Sequence, residues 1–210
     1  MLHQKTVDES TIRLIKALQA KEYLKDFVLV GGTALSLFYD TRISLDIDLF
    51  SQKGFNTDSL LKKLEQDFQF ELDYMEDNTL KGSVNNIKVD ILTHQYNMIE
   101  EPVCIDGIHI ASVKDICAMK INAISLDGTR VKDFIDIYFL LDKFSVDAML
   151  GFFEKKYLLQ NSFHALKSLT YFDDVDLNDW PEIVKEKNLQ WKEVKNKIEK
   201  AVDRYIRSLE

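Results

Sequence analysis

Two aspartates lie inside a segment of alternating side chains, Leu45-Asp46-Ile47-Asp48-Leu49-Phe50. The alternation predicts a β-strand over residues 45–50, and residues two apart on a strand face the same side. Asp46 and Asp48 would then project from one face, with backbones roughly 7 Å apart. Two ionised carboxylates on a half-buried strand repel each other and lose hydration, so the pattern favours a bound cation. The alternative is the polar face of an edge strand.

A third acid interrupts another β-branched segment, Ile87-Lys88-Val89-Asp90-Ile91-Leu92. If this segment pairs beside the first strand, Asp90 reaches the same cation. Magnesium prefers oxygen ligands and often takes one or two carboxylates together with substrate phosphates. The three aspartates Asp46, Asp48 and Asp90 therefore predict a Mg²⁺ (or Mn²⁺) site of the kind that supports two-metal phosphoryl transfer. Alternatively, Asp90 is a structural partner of Lys88 or Arg42.

A pair of glycines, Gly31-Gly32, separates a short apolar strand at residues 27–30 from a helix predicted to begin at Thr33. Glycine lets the backbone approach a ligand closely, and the N–H groups at a helix N-terminus bind phosphate oxygens. A plain turn would use the same residues. The Asp-x-Asp strand that begins fourteen residues later makes the phosphate interpretation the more specific one.

These segments carry a family resemblance. Gly31-Gly32-Thr33-Ala34-Leu35, followed by Arg42-Ile43-Ser44-Leu45-Asp46-Ile47-Asp48-Leu49-Phe50, resembles the signature of the AbiEii/AbiGii nucleotidyltransferase toxins, which are similar to the DNA polymerase β-like superfamily. Asp115-Ile116-Cys117-Ala118-Met119-Lys120 is similar to the family's Asp-x-x-x-x-Lys helix. Lys132-Asp133-Phe134-Ile135-Asp136 is similar to its basic-Asp-x-x-Asp motif. The chain has Gly-Gly-Thr where the common superfamily form is Gly-Ser.

The resemblance implies a role for individual residues. The implied catalytic residues are Asp46, Asp48, Lys120 and Asp133, the metal ligands Asp46, Asp48 and Asp90, and the nucleotide-binding residues Gly31, Gly32, Thr33, Arg42 and Ser44. Structural alternatives remain for several of them. Arg42 would otherwise anchor its loop by pairing with a carboxylate, and Lys120 would be a salt-bridged helix residue. Asp133 and Asp136 would cap their helix or pair within it, and Asp136 could instead pair with Lys120 or Arg130.

The function that the resemblance implies is transfer of a nucleoside monophosphate from a nucleoside triphosphate to an acceptor hydroxyl. RNA, such as the 3′ end of a tRNA, is the implied acceptor, and a cognate antitoxin is the implied partner. The family is implicated in abortive phage infection and in type IV toxin–antitoxin pairs. Nucleotidylation of a protein, transfer of the γ-phosphate, and a non-catalytic nucleotide-binding module are the alternatives.

Composition limits the partners. The formal net charge is −8, whereas proteins that grip nucleic acid through phosphates tend to be basic, so any RNA contact must be local. The first ten residues lack the pattern of a signal peptide and no membrane-length apolar run occurs, which predicts a cytoplasmic protein with no membrane contact. Cys104 and Cys117 have no metal-ligand spacing, and both are predicted to be reduced core residues.

The chain order predicts an α+β fold with a polymerase β-like core and a C-terminal helical lobe. The predicted division is 1–111 for the nucleotidyltransferase core and 112–210 for the lobe that completes the active-site cleft. An acidic break at 173–179 precedes a lysine-rich final helix predicted to begin near Pro181. The remaining predicted elements are helices at 8–24, 58–68, 112–126, 130–143 and 145–157, and strands at 69–75, 79–84, 87–92 and 108–111, with a hairpin turn at Asn85-Asn86.

Overall fold

A computed structural model of the chain describes Leu2 and residues 5–210. The described residues form two compact units. The first contains the residues up to Asp40 together with Ser44–Asn97 and Glu101–Ala111. The second contains Ser112–Glu210 together with two short segments, Thr41–Ile43 and Met98–Glu100.

The first unit is a mixed sheet with helices. Its elements in chain order are α1 (Glu9–Gln19), β1 (Val28–Val30), α2 (Gly31–Tyr39), β2 (Ile47–Ser51), α3 (Thr57–Phe68), β3 (Glu71–Glu76), β4 (Thr79–Val84), β5 (Ile87–Thr93), β6 (Val103–Ile105) and β7 (Ile108–Ile110). The strands lie in the order β3-β4-β5-β2-β1-β7-β6. The β2–β5 and β1–β7 pairs are parallel and the others are antiparallel. The predicted α+β class with a mixed sheet is confirmed.

Alternation decides which face of the central strands is packed. On β2, Ile47 and Leu49 are fully buried, while the residues between and after them are half-buried. On β5, Val89 and Ile91 are buried in the same way and pair with Ile47 and Leu49. The apolar members therefore form the core face of the sheet, and the other face remains partly accessible.

The second unit is helical. Its elements are α4 (Val113–Leu126), α5 (Val131–Leu140), α6 (Val146–Tyr157), α7 (Phe163–Ser168) and α8 (Trp191–Arg207). Serine caps begin two of them, because the Ser112 hydroxyl accepts from the Asp115 amide and the Ser145 hydroxyl accepts from the Ala148 amide. No helix among the described residues is both long and apolar enough to cross a membrane.

Several predicted boundaries need correction. The helix predicted at 8–24 ends at Gln19 and is followed by a separate 3₁₀ turn at Glu22–Leu24. The final helix begins at Trp191 rather than near Pro181, because Gln190 and Glu193 form a capping box at that point. The predicted turn at Asn85-Asn86 is confirmed, and both residues have positive φ.

The two cysteines differ. Cys117 is buried in α4, as predicted, and burial raises the pKa of its thiol. Cys104 is exposed, so its assignment to the core is wrong. The reason is its position on β6, a three-residue strand at the edge of the sheet that the sequence pattern did not predict.

Candidate active site

Asp48 and Asp90 are direct neighbours across the sheet. Asp48 lies on β2 and Asp90 on the parallel strand β5, and the register pairs the two residues. Paired residues on adjacent strands point to the same face, and here it is the partly accessible one. The structure therefore brings together two of the three predicted metal ligands.

Asp46 is placed differently from the prediction. The strand begins at Ile47, so Asp46 lies in the preceding loop and is exposed. Its backbone carbonyl accepts a hydrogen bond from the Thr33 hydroxyl. The assignment of Asp46 to the strand is therefore wrong, although the residue still directly precedes β2.

Gly31 lies against the Asp48 carboxylate. It is the first residue of α2 and has a φ of +74°, a region that other L-residues rarely adopt. A Cβ atom built on Gly31 would lie 2.1 Å from Oδ2 of Asp48. The position therefore excludes any side chain, and the N-terminus of α2 approaches the carboxylate closely.

Thr33 and Ser44 hold the loop in front of β2. Thr33 is completely buried and Ser44 is 8% exposed. The Thr33 hydroxyl lies 2.9 Å from the Ser44 hydroxyl, and the Ser44 amide donates to the Thr6 carbonyl. Both predicted nucleotide-binding hydroxyls are thus engaged within the protein, where they position the segment that leads to Asp46.

The carboxylates of the sheet fit a divalent cation. Oδ1 of Asp90 is buried and accepts no hydrogen bond from the described residues, and Oδ2 lies 3.2 Å from the Lys81 ammonium. A buried carboxylate oxygen without a donor is costly, and a hard cation would satisfy it. Within residues 2 and 5–210, no three His, Cys, Asp or Glu side chains converge into a ready metal site. The carboxylates therefore suit a cation that takes one or two protein carboxylates and completes its coordination with substrate oxygens, as Mg²⁺ commonly does.

A second charged cluster lies inside the helical unit. The Arg42 guanidinium donates to both oxygens of Asp136, at 2.8 and 2.9 Å. The Lys120 ammonium lies 2.6 Å from Asp136 and 2.7 Å from Asp133. All four side chains are less than a tenth exposed. We call these residues, Arg42, Lys120, Asp133 and Asp136, the buried quartet.

Ion pairing within the quartet favours the charged forms of Lys120 and Asp136. Burial alone would lower the pKa of the Lys120 ammonium, but Asp133 and Asp136 outweigh burial and raise that pKa. Burial would likewise raise the pKa of the Asp136 carboxyl, yet Arg42 and Lys120 hold it below its usual range. Two cations and two anions thus compensate each other in a setting where a single charge would be very costly.

The contacts within the quartet distinguish between the alternative roles that the sequence left open for its residues. Arg42 has the structural role that was the alternative to nucleotide binding, because its guanidinium anchors its loop to the Asp136 carboxylate. Asp136 pairs with Lys120, one of its two predicted partners. Lys120 and Asp133 bind each other, so their implied catalytic roles remain predictions.

Sequence reasoning missed one further buried ion pair. Lys156 of α6 lies 2.7 Å from Asp115 of α4, and neither side chain is exposed. Asp115 also accepts from the Ile99 amide and the Ser112 hydroxyl. The available signal was a lysine at helical spacing after the buried Met149 and Phe153. Asp115, the first residue of the Asp-x-x-x-x-Lys pattern, therefore has an internal structural partner.

Comparisons with known proteins place this geometry in a family. A family model described as the nucleotidyl transferase AbiEii toxin of a type IV toxin–antitoxin system matches residues 13–208. An uncharacterized protein of Aquifex aeolicus (strain VF5) is 32% identical over 187 residues, which cover 86% of this chain and 88% of that protein.

Solved structures share the fold. A crystal structure of a protein from Helicobacter pylori matches with a TM-score of 0.56 at 21% identity and covers 96% of each chain. MenT4, a nucleotidyltransferase toxin from Mycobacterium tuberculosis, matches with a TM-score of 0.59 at 10% identity over 91% of this chain and 81% of that one. Because the family model spans nearly the whole chain, this protein is a nucleotidyltransferase that belongs to the AbiEii toxin family.

Proposed function

We propose that the protein transfers a nucleoside monophosphate from a nucleoside triphosphate to a hydroxyl of an RNA acceptor, with Mg²⁺ or Mn²⁺ as the cofactor. The observation that carries the proposal is the pairing of Asp48 with Asp90 on the accessible face of the sheet. Oδ1 of Asp90 is buried there, and none of residues 2 and 5–210 donates a hydrogen bond to it. A site for hard cations accounts for this arrangement better than a structural role does.

Asp48 and Asp90 would hold the cation, and Asp46 would join them from its exposed loop. When bound, the cation neutralises charge on the triphosphate and lowers the pKa of a coordinated hydroxyl. The fixed loop in front of β2 supports this role, because Thr33 bonds both Ser44 and the carbonyl of Asp46. The loop would thereby limit the positions that the Asp46 carboxylate can adopt.

The N-terminus of α2 is the proposed site for the triphosphate. The N-cap residue Val30 makes no side-chain hydrogen bond to this helix, and Gly31, which has no side chain, brings the helix N-terminus close to the Asp48 carboxylate. Unpaired N–H groups and the helix dipole both favour phosphate oxygens at such an end. Gly31 and Gly32 would therefore contact the substrate through their backbones, whereas Thr33, Ser44 and Arg42 would act by supporting the loop.

The proposed acceptor and the proposed partner are both inferred from membership of the family. Its description as a type IV toxin supports an antitoxin as the cognate partner. RNA is proposed as the acceptor, and a tRNA 3′ end would present the required hydroxyl. With a net charge of −8, the protein would contact RNA through a limited surface.

The test uses two labels. The protein is incubated with Mg²⁺, total cell RNA and each α-³²P-labelled nucleoside triphosphate in turn, and then with the γ-labelled compounds. The proposal predicts α-label in RNA with wild-type protein and about 10³-fold slower labelling with Asp48→Asn. Label from the γ position would instead establish phosphotransfer, and α-label in protein would establish nucleotidylation of a protein. Asp73→Asn, on the exposed strand β3, is the matched control and should label RNA as wild type does.

A further inference from the structure

Three aromatic side chains form a cluster at the end of the central strands. The rings of Phe50 and His94 lie 5.7 Å apart between centroids, and those of His94 and Tyr96 lie 4.9 Å apart. The interplanar angles are 38° and 52°, so each ring is tilted against the next. We call Phe50, His94 and Tyr96 the aromatic cluster.

The cluster shares a sheet face with the paired aspartates. Phe50 is two residues beyond Asp48 on β2, and its register partner on β5, Leu92, is two residues beyond Asp90. Residues two apart on a strand face the same side and lie roughly 7 Å apart. The aromatic surface therefore begins one side-chain position from the carboxylates, on the face that the core does not occupy.

Hydrogen bonds to two backbone carbonyls hold the cluster in position. The His94 amide donates to the Ser51 carbonyl at 2.7 Å, directly after the end of β5. The Gln52 side chain donates to the Tyr96 carbonyl at 3.0 Å. Both contacts tie the segment that follows β5 to the end of β2, so the rings are anchored to the sheet that carries Asp48.

The cluster is not a closed core. Tyr96 is 44% exposed, and Phe50 and His94 are each half-buried. Aromatic rings with open surface bind nucleobases by stacking, at about 1–3 kcal/mol per base, with little dependence on sequence. Histidine and tyrosine add polar atoms at the ring edges.

We propose that the aromatic cluster is a stacking site for a nucleobase during transfer. The proposal rests on the proposed nucleotidyl transfer, because it places a base beside the paired aspartates. The cluster lies on the side of Asp48 away from α2, since Asp48 pairs with Val30 and Phe50 pairs with Val28. The triphosphate and the base would thus occupy opposite sides of the carboxylates. The base belongs either to the nucleoside triphosphate or to the last nucleotide of the acceptor.

Two single variants test the site kinetically. Tyr96→Leu and His94→Leu remove a stacking surface and keep an apolar side chain. Tyr23→Leu is the control, because the Tyr23 hydroxyl bonds Asp67 of α3 and its ring lies next to Lys63. Initial rates are measured with α-³²P-labelled nucleoside triphosphate and total cell RNA, varying one substrate while the other saturates.

The expected result is a rise of about tenfold in one KM for Tyr96→Leu and His94→Leu, with kcat changed less. A higher KM for the triphosphate assigns the base to that substrate, and a higher KM for RNA assigns it to the acceptor. If both constants stay within twofold of wild type in both variants, the stacking site is refuted while nucleotidyl transfer stands.

A binding measurement separates the two proposals. The dissociation constants of inorganic tripolyphosphate and of each nucleoside triphosphate are compared in the presence of Ca²⁺, together with an RNA oligomer and its 3′-abasic form. Wild type should bind the compound with a base more tightly in at least one pair, and Tyr96→Leu should remove most of that difference. Equal affinities in both pairs would overturn the stacking site, whether or not the wild-type protein transfers label.

Discussion

The paired aspartates on the sheet and the buried quartet are both clusters of charge, but their environments differ. Asp48 and Asp90 are half-buried, and one oxygen of Asp90 has no hydrogen-bond donor in the part of the chain that the structure describes. In the quartet, two cations face two anions at 2.6–2.9 Å with almost no exposure. The first arrangement has an excess of negative charge that a ligand can satisfy. In the second, the cations and anions balance in number, although Oδ2 of Asp133 is also buried without a hydrogen-bond partner among the described residues, and the quartet's main consequence is for stability.

The comparison separates activity from stability. Removing a carboxylate from the sheet should abolish transfer with little effect on folding. Removing one from the quartet should destabilise the fold because it leaves buried cations without compensation.

Asp48→Asn should lower the rate of transfer by about 10³-fold, since the amide no longer holds a cation whose transition-state contribution is several kcal/mol. Its thermal unfolding temperature should be no lower than that of wild type, because the substitution also removes a repulsive charge from the sheet face. The check combines label incorporation with a melting curve. A variant that unfolds at a much lower temperature but transfers label normally would show that Asp48 is structural and not catalytic.

Asp136→Ala should reduce the free energy of unfolding by about 3–5 kcal/mol, the typical cost of leaving buried cations unpaired. Arg42 and Lys120 both lose a partner in this variant. Urea unfolding measures the loss, and Glu9→Ala, which breaks the exposed pair with Arg13, should cause a far smaller one. Equal losses in the two variants would show that the quartet is no more important to stability than a surface pair.

Gly31→Ala should lower both the rate of transfer and the stability of the fold. The Cβ atom would meet Oδ2 of Asp48, and alanine at positive φ costs about 1–2 kcal/mol. Transfer should fall further than the loss of stability explains, because Asp48 must move. Gly151→Ala is the control, since a Cβ there meets nothing within 4 Å and alanine favours the helix. Full activity of Gly31→Ala would mean that the close approach of α2 to Asp48 is unimportant.

The free energy of unfolding should fall at both acid and alkaline pH because of ionisable groups in the quartet. The folded pKa of Asp136 is lowered, so its contribution is complete above about pH 4 and is lost as pH falls through the folded pKa. The folded pKa of Lys120 is raised, so its contribution is complete below about pH 10 and is lost as pH rises through the folded pKa.

Urea unfolding between pH 2 and 11 measures this profile. With Asp136→Asn, the free energy of unfolding should fall less steeply at acid pH than in wild type (the acid limb of the profile). Asp73→Asn should leave this limb unchanged. An acid limb that is the same in all three proteins would show that another carboxyl group controls acid unfolding.

Local patterns predicted much of this architecture. Alternation identified β2 and β5 and singled out Asp48 and Asp90, because a lone acid in an apolar strand has few structural explanations. The direct pairing of the two residues was not predictable, since register depends on contacts between segments some forty residues apart. The first residue of β2 was also missed, so Asp46 was placed on the strand instead of in the loop.

Residues that act through distant partners were harder to predict. Thr33 and Ser44 look like ligand hydroxyls in the sequence, and only the fold shows that they bond each other. Lys156 resembles a solvated helix lysine until Asp115 is found beside it. The late start of α8 follows from the capping box at Gln190, a local signal that the earlier proline obscured.

Binding of Mn²⁺ tests the central claim most directly. Electron paramagnetic resonance measures free Mn²⁺ during a titration of wild type, Asp48→Asn, Asp90→Asn and the control Asp73→Asn, each with a non-hydrolysable nucleoside triphosphate. We expect each of the two sheet variants to weaken Mn²⁺ binding tenfold or more, while Asp73→Asn binds as wild type does. Wild-type affinity in both Asp48→Asn and Asp90→Asn would contradict the assignment of these aspartates as the metal ligands.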